Sequence, residues 1–180
     1  MDETVVLYIT ELSDAGENQR ERAQRLSEAG RHLLAFGLGD LYGITSLPVI
    51  SKNENGKPFF KDHPDIHFNI SHSGLTAVCA IAYVTVGVDI QEKSRCPDRI
   101  IRRFGGEELY KRYEDADNRE DFFLSWWTRE ESYAKYLGST LAVCIGGEKK
   151  HCSFWQTRLR NGCFCTVCTE RKIAVQIKEL

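Results

Sequence analysis

Two segments of the sequence, HFNISHSG (67–74) and VGVDIQ (86–91), decide how this chain folds and where its polar chemistry lies. In both, apolar residues alternate with small or polar ones, which is typical of strands. Because successive side chains of a strand point to opposite faces, Gly87, Asp89 and Gln91 share one face of the second segment. The valines and the isoleucine share the other face. We therefore expect Asp89 to point away from the hydrophobic core, with Gln91 beside it.

The composition indicates one folded domain, or two small halves packed together. The chain has 180 residues, of which 42% are hydrophobic, and this excludes general disorder. A formal net charge of −2 gives no electrostatic reason to bind nucleic acid. No apolar run approaches the roughly 20 residues of a transmembrane helix. With no visible export signal and an odd number of cysteines, seven, we expect free thiols in a cytoplasmic protein that does not enter a membrane.

Sequence periodicity predicts an α+β fold with antiparallel sheet and a few helices. Residues 4–10 have the composition of a strand, and residues 17–37 carry an apolar stripe at helical spacing. A basic segment is predicted to be helical from Asp98 onward. In the C-terminal tail, Asn161-Gly162 lies between two alternating segments, which predicts a β-hairpin.

The clearest helix is predicted for residues 117–138. Asp117 or Asn118 can cap its first turn, and Gly138 can end it. Two adjacent tryptophans in the middle of this segment indicate that the helix packs against another element.

The polar face of VGVDIQ has two of the donors that a hard cation needs. Asp89 offers a carboxylate oxygen and Gln91 an amide oxygen two residues later, while Gly87 leaves room close to the backbone. The alternative interpretation is an ordinary half-exposed strand without a ligand.

Three side chains of the predicted helix, Trp127, Glu131 and Lys135, are spaced four residues apart and therefore form one line. One interpretation is a surface ion pair between Glu131 and Lys135. The other is that Glu131 lies near Asp89, because two carboxylates from different elements suit Mg²⁺, which keeps water and phosphate oxygens as further ligands. Zn²⁺ would prefer cysteines and histidines, which are not grouped with these residues.

A third polar set is typical of anion binding. Lys57 lies in a Gly-Lys-Pro turn, and Ser71 and His72 precede Gly74. A serine hydrolase is disfavoured, because Ser71 and His72 are neighbours on a strand and point to opposite faces. The nucleophile-elbow pattern is also absent, since Asn69 occupies the position of its first glycine.

The cysteines near the C-terminus allow two interpretations. Cys163, Cys165 and Cys168 could belong to a zinc module, although a spaced second pair of ligands is missing. Alternatively, Cys163 and Cys165 share one face of a strand and are small buried apolar residues.

Four motifs in order resemble the 4′-phosphopantetheinyl transferases. They are GKPFF (56–60), FNISHSG (68–74), GVDI (87–90) and W-T-x-x-E-S-x-x-K (127–135). Together they run through under half of the chain, and their order and spacing carry the resemblance. The branch that they resemble is the surfactin-synthetase-activating type, rather than the small trimeric holo-acyl-carrier-protein synthases.

The resemblance implies a fold of two similar α/β halves with antiparallel sheets, packed as a pseudo-dimer within a monomer. Residues 1–84 would form the N-terminal half, with contacts to the phosphates of coenzyme A. Residues 85–180 would form the C-terminal half, with the Mg²⁺-binding and catalytic motifs.

The implied reaction transfers the 4′-phosphopantetheine group of coenzyme A to a serine of an apo acyl or peptidyl carrier protein. It releases 3′,5′-ADP and depends on Mg²⁺. By motif, Asp89 and Glu131 are metal ligands, Glu131 is also the base for the serine hydroxyl, and Lys135 lies beside the pyrophosphate. The resemblance assigns the phosphates of coenzyme A to Lys57, Ser71 and His72.

The chain departs from the family pattern at two positions. Gln91 stands where the family usually has Glu, and we expect it to contact Mg²⁺ through its amide oxygen or a water. Glu130 stands where the family usually has Lys, about 100° around the helix from Glu131. Because the N-terminal region is shorter than is common in this branch, Arg22 and Arg25 are candidates for the 3′-phosphate of coenzyme A; the alternative is a solvated helix face.

A basic segment follows the predicted metal strand and could receive an acidic carrier protein. The alternative is a solvated basic helix. The cations of this segment are Lys93, Arg95, Arg99, Arg102 and Arg103.

Two other functions remain open at the level of sequence. One is a different Mg²⁺-dependent enzyme that cleaves a pyrophosphate with the same Asp89 and Glu131. The other is a relative that binds coenzyme A or a carrier protein without catalysis, with Gln91 and Glu130 as signs of lost activity. The carrier protein that would be served is also left open.

Overall fold

A computed structural model describes residues 4–14, 16–93, 97–149 and 151–180. Within these ranges the chain forms nine strands and four helices. In chain order these are β1 (Thr4–Glu11), α1 (Gln19–Tyr42), β2 (Ile50–Lys52), β3 (Pro58–Phe60), β4 (His67–Ser73), β5 (Thr76–Ala82), β6 (Val86–Gln91), α2 (Pro97–Glu114), α3 (Arg119–Leu137), α4 (Leu141–Cys144), β7 (Ser153–Arg158), β8 (Phe164–Thr169) and β9 (Ala174–Glu179).

The strands form two main sheets and a short ribbon. The first sheet has the order β4-β5-β1-β9, the second has the order β6-β8-β7, and β2 pairs with β3. The pairs are antiparallel except β1–β9, which is parallel. The predicted α+β class with antiparallel sheets is confirmed, and the parallel pair is an addition that the sequence pattern did not indicate.

The last strand lies in the same sheet as the first. β9 pairs with β1 in a register that aligns Thr4 with Ala174 and Ile9 with Glu179. The C-terminal residues therefore complete a sheet built mainly from the N-terminal part of the chain. A division of the chain at residue 84 stays a prediction.

The two main sheets share a hydrophobic core between their inner faces. Val5 and Leu7 of β1 and Val78 of β5 pack with Val88 of β6 and Val167 of β8, and all five are buried. Burying an aliphatic side chain of this size contributes about 1.5–3 kcal/mol. The apolar face of VGVDIQ thus fixes the second sheet against the first.

Helices cover the outer faces of both sheets. Leu26, Leu33 and Leu34 of α1 pack on the first sheet, and α3 lies on the second. The polar face of β6, which we expected to point away from the core, is therefore covered by α3. Asp89 points away from the core between the sheets, as predicted, but it is only 5% exposed, so the alternative of an ordinary half-exposed strand is wrong.

Helix α3 begins and ends where the sequence predicts. The Asn118 side chain accepts a hydrogen bond from the backbone N–H of Asp121, and Gly138 ends the helix in a left-handed conformation (φ 68°). The predicted hairpin is also present, with Gly162 at φ 87° between β7 and β8. None of the helices in the described ranges combines the length and apolarity that a bilayer crossing requires.

Cys163 and Cys165 are buried in the core between the sheets, as expected for small apolar residues of one strand face. Cys168 is also buried, in a smaller cluster beneath α3 and α4. Among the residues that the structure describes, no group of three or more His, Cys, Asp or Glu side chains is placed to hold a metal ion. The interpretation of Cys163 and Cys165 as core residues is confirmed.

Polar side chains join β4 and β6, which are end strands of two different sheets. Three alternate residues of β4 accept hydrogen bonds from backbone N–H groups of β6 and the residue after it. Because residues two apart share one face of a strand, a single polar row spans the junction. We call this row the seam; it consists of Asn69 Oδ1 with Val88 N (2.8 Å), Ser71 Oγ with Ile90 N (3.4 Å) and Ser73 Oγ with Glu92 N (3.0 Å).

Gly87 lets α3 approach β6 closely. A Cβ at this position would lie 2.1 Å from the carbonyl oxygen of Ser132 and 2.4 Å from the backbone nitrogen of Tyr136. These are backbone atoms, so no change of rotamer could relieve the contact.

Replacing Gly87 by alanine should lower the free energy of unfolding by about 1–3 kcal/mol, because α3 must move away from β6. Chemical denaturation measures this loss. Gly39→Ala in α1 is the control, since its Cβ would meet only an ordinary contact at 3.7 Å and alanine favours helix. Equal stability of Gly87→Ala and the wild type would contradict the close packing.

Removing the amide of Asn69 should cost about 1–3 kcal/mol, because the buried N–H of Val88 loses its acceptor. Asn69→Ala tests this in urea unfolding. His72→Ala is the control on the same strand, where the side chain is exposed, and its effect should stay within about 0.5 kcal/mol. A similar loss for both variants would show that the seam has no special role.

Candidate active site

Three elements converge on Asp89. Its Oδ1 atom accepts hydrogen bonds from Ser71 Oγ of β4 (2.9 Å) and from the Lys135 ammonium of α3 (2.6 Å). Lys135 Nζ also donates to Ser71 Oγ at 2.9 Å. Three of the residues that the sequence predicted for the site are therefore in mutual contact, although the chain separates them by up to 64 residues.

The second oxygen of Asp89 is buried without a hydrogen-bond partner among the described residues. A buried carboxylate oxygen that lacks a partner is costly, and such atoms are found where a ligand or ion binds. This oxygen is the clearest sign that the residues around Asp89 are arranged for something besides stability.

Glu131 lies one turn before Lys135 on α3 and is half-buried. Burial raises the pKa of its carboxyl group, and the negative charge of Asp89 raises it further, while Lys135 acts in the opposite direction. The two carboxylates thus lie close enough to repel each other. A cation bound by both carboxylates would remove this repulsion.

These residues fit a hard divalent cation. Asp89 has an oxygen without a partner among the described residues, Glu131 offers a carboxylate, and half-buried Gln91 offers an amide oxygen. Oxygen donors of this kind suit Mg²⁺. Gln91 follows Asp89 by two residues on the same face of β6, as the sequence predicted.

Lys57 binds backbone carbonyl groups rather than joining the Asp89 cluster. Its ammonium donates to the carbonyl oxygens of Val86 (3.1 Å) and Tyr136 (2.6 Å), where it caps the end of α3. Burial lowers the pKa of Lys57 to about 8. Its role as a phosphate ligand stays a prediction.

His72 is exposed on the side of β4 opposite to Ser71, as strand alternation predicts. Partial burial lowers the pKa of its imidazole, and the nearby charge of Lys135 lowers it further. His72 therefore borders the cluster without belonging to its hydrogen-bond network.

The two candidate arginines of α1 have different partners. Arg25 pairs with Asp14 at 2.7 Å on an exposed surface. Arg22 donates from Nε to the carbonyl oxygen of Gly74 at 3.0 Å, so it reaches the turn that follows Ser71 and His72. The geometry thus favours Arg22 over Arg25 as a neighbour of the site.

Glu130 lies on a different flank of α3 from Glu131. It is buried and pairs with Lys149 at 2.6 Å, and the backbone N–H of Gly146 donates to the same carboxylate oxygen at 3.2 Å. Its charge is therefore compensated locally, by residues that follow α4.

The contacts that Asn69 and Ser73 make with β6 were not predicted from the sequence. Both belong to the seam, on either side of Ser71. The signal was present as the alternation N-x-S-x-S in β4, which places three short polar side chains on one face of a strand.

Comparison with known proteins gives matches to a single family. A family model described as the 4′-phosphopantetheinyl transferase superfamily matches residues 85–177. The 4′-phosphopantetheinyl transferase Sfp of Bacillus subtilis (strain 168) is 37% identical over 95 residues, which are 52% of this chain and 42% of that protein.

Two further relatives have similar names. The 4′-phosphopantetheinyl transferase gsp of Aneurinibacillus migulanus is 38% identical over 109 residues, 59% of this chain and 43% of that protein. The transferase ffp of Bacillus subtilis is 35% identical over 143 residues, 73% of this chain and 64% of that protein. The chain spans about half the length of the first curated relatives it matches. These matches confirm the resemblance to the surfactin-synthetase-activating type, and the chain belongs to the 4′-phosphopantetheinyl transferase superfamily.

Proposed function

We propose that this protein transfers the 4′-phosphopantetheine group of coenzyme A to a serine of an apo acyl or peptidyl carrier protein, with release of 3′,5′-ADP. One observation carries the proposal. In a member of this superfamily, Ser71 and Lys135 both donate to one oxygen of the buried Asp89 carboxylate. Its other oxygen has no partner among the described residues, and Glu131 lies nearby.

In the proposed reaction the serine oxygen forms a bond to the phosphorus that carries the pantetheine arm. The bond from that phosphorus to the bridging oxygen breaks, and 3′,5′-ADP leaves with the electron pair. Glu131 takes the proton of the serine hydroxyl, directly or through a water. Burial raises the pKa of this carboxyl group, which makes it a stronger base than a fully solvated glutamate.

The other residues position the substrates. Lys135 offers an ammonium group to the diphosphate, and Ser71 and His72 offer a hydroxyl and an imidazole beside it. A Mg²⁺ ion held by Asp89, Glu131 and Gln91 would neutralise charge on the diphosphate when bound. The protein itself contributes mainly alignment and charge, as is general for phosphoryl transfer.

Exposed cations of α2 are proposed to bind the carrier protein. The exposed arginines of this helix are Arg99, Arg102 and Arg103. Arg95 lies outside the described residues. Lys93, before the helix, pairs with Glu120 at 3.4 Å. Helix α2 packs against α3 through a shared apolar cluster, so a protein bound there would lie beside the helix that carries the proposed base. Acidic carrier proteins would be attracted by these charges.

Incubation with coenzyme A, Mg²⁺ and an apo carrier protein should add the mass of phosphopantetheine to the carrier. In Glu131→Ala the rate should fall about 100-fold or more, because the proposed base and one cation ligand are lost. Intact-protein mass spectrometry measures both. Glu28→Ala, which removes an exposed carboxylate of α1, is the control and should keep the wild-type rate.

The same assay separates the rival functions. Free phosphopantetheine without modified carrier would indicate a pyrophosphate-cleaving enzyme. Binding of coenzyme A without any product would indicate a non-catalytic relative. Either result would overturn the proposed transfer.

Reversing two charges of α2, in Arg99→Glu with Arg103→Glu, should raise the KM for the carrier protein about tenfold and leave the affinity for coenzyme A unchanged. Arg102 is left in place because its guanidinium stacks on the ring of Tyr110 at 3.6 Å and contributes to packing. Steady-state kinetics at low salt make the measurement. Arg31→Glu on α1 is the control, and an equal KM for both variants would refute docking on α2.

A further inference from the structure

We infer that Lys135 is the built-in counter-ion of Asp89 and that a divalent cation displaces its ammonium group from the carboxylate. Cation binding would then release Lys135 and Ser71 together, at the moment when both are needed for a diphosphate. The inference rests on the cation site of the proposed function, and it assigns to Lys135 a role before any substrate binds.

The contacts of Lys135 show that it pairs with Asp89. Its Nζ atom lies 2.6 Å from Asp89 Oδ1 and 2.9 Å from Ser71 Oγ, so it bridges the two strands of the seam from above, on α3. The Asp89 side chain is 8% exposed, whereas the Lys135 side chain is 29% exposed. The carboxylate is thus fixed in the interior, and the lysine approaches it from the more open side.

Burial explains why Asp89 needs a partner at all times. A buried carboxylate is strongly unfavourable unless a positive charge or several hydrogen bonds compensate it. Lys135 and Ser71 satisfy one of its two oxygens, and the other has no partner among the described residues. The present arrangement therefore compensates Asp89 incompletely, which leaves it ready to exchange an ammonium for an ion of higher charge.

The location of Glu131 explains why the exchange would displace Lys135. Glu131 and Lys135 are one helical turn apart on the same line of α3, facing the same carboxylate. A cation shared by Asp89 and Glu131 would lie close to the ammonium of Lys135, which is 2.6 Å from Asp89 Oδ1. Two positive groups at one buried carboxylate repel each other strongly, and the flexible stem of lysine allows it to leave.

In this chain, Gln91 makes it harder for a divalent cation to compete with Lys135 for Asp89. Asp89, Glu131 and Lys135 together carry one net negative charge, and an amide at position 91 adds none. With so little negative charge to attract a divalent ion, the ammonium of Lys135 is a strong competitor. The affinity for the cation is then set by the fraction of molecules in which Lys135 has left Asp89.

Amine labelling of the full chain tests the displacement directly. The protein is treated with acetic anhydride in chelator and in saturating Mg²⁺, and the extent of acetylation of each lysine is read by peptide mass spectrometry. Mg²⁺ should increase the labelling of Lys135 several-fold. Lys149 is the internal control, because its ammonium is buried against Glu130 and should react slowly in both conditions.

Removing the competitor should strengthen cation binding. Lys135→Met should bind Mg²⁺ about tenfold more tightly than the wild type in isothermal titration calorimetry without coenzyme A, if Lys135 occupies Asp89 in about nine of ten molecules. Lys52→Met, which removes the same charge from an exposed side chain of β2, is the control and should leave the affinity unchanged. A variant that is merely destabilised would bind more weakly, so the sign of the change separates the two explanations.

The outcomes distinguish this inference from the proposed function. If Mg²⁺ neither binds nor raises the Tm of the wild type, the cation site fails and the inference fails with it. If Mg²⁺ binds but the labelling of Lys135 does not rise, only the displacement of Lys135 is wrong. Equal or weaker binding by Lys135→Met also overturns the inference, whatever the transfer assay shows.

Discussion

Three hydrogen bonds of the seam hold β4 against β6 and so join the two main sheets at their end strands. Two sheets that share a core meet at these end strands, and side chains of β4 satisfy backbone N–H groups along β6. An unsatisfied N–H at this depth would cost more than the bond itself contributes. The same row places the Ser71 hydroxyl against Asp89, so one set of hydrogen bonds both joins the sheets and builds the site.

Asp89 shows how the fold maintains an unfavourable group. The carboxylate lies under α3 because Gly87, on the same face of β6, has no side chain and lets the helix approach. Burial then strengthens every charge interaction nearby, which binds Lys135 tightly and raises the pKa of Glu131. The close packing of α3 on β6 and the strong charge interactions around Asp89 therefore both follow from the missing side chain of Gly87.

The two flanks of α3 carry two different acid–lysine pairs. On one flank Lys135 pairs with one oxygen of Asp89, and the other oxygen has no partner among the described residues. On another flank one oxygen of Glu130 accepts hydrogen bonds from both Lys149 and the backbone N–H of Gly146. Glu130 stands where the family usually has Lys, yet its charge is balanced within the fold. Glu130 and Lys149 therefore form a compensated ion pair on this flank of α3.

Local patterns in the sequence predicted most of the strands and helices, the caps of α3, the hairpin at Gly162, and the opposite directions of Ser71 and His72. Each follows from the periodicity or backbone preference of neighbouring residues. Long-range packing was needed to place β9 beside β1, Lys57 against two carbonyl groups, and α3 over Asp89. These contacts join residues far apart in the chain, and a local pattern states which way a side chain points but not what it meets there.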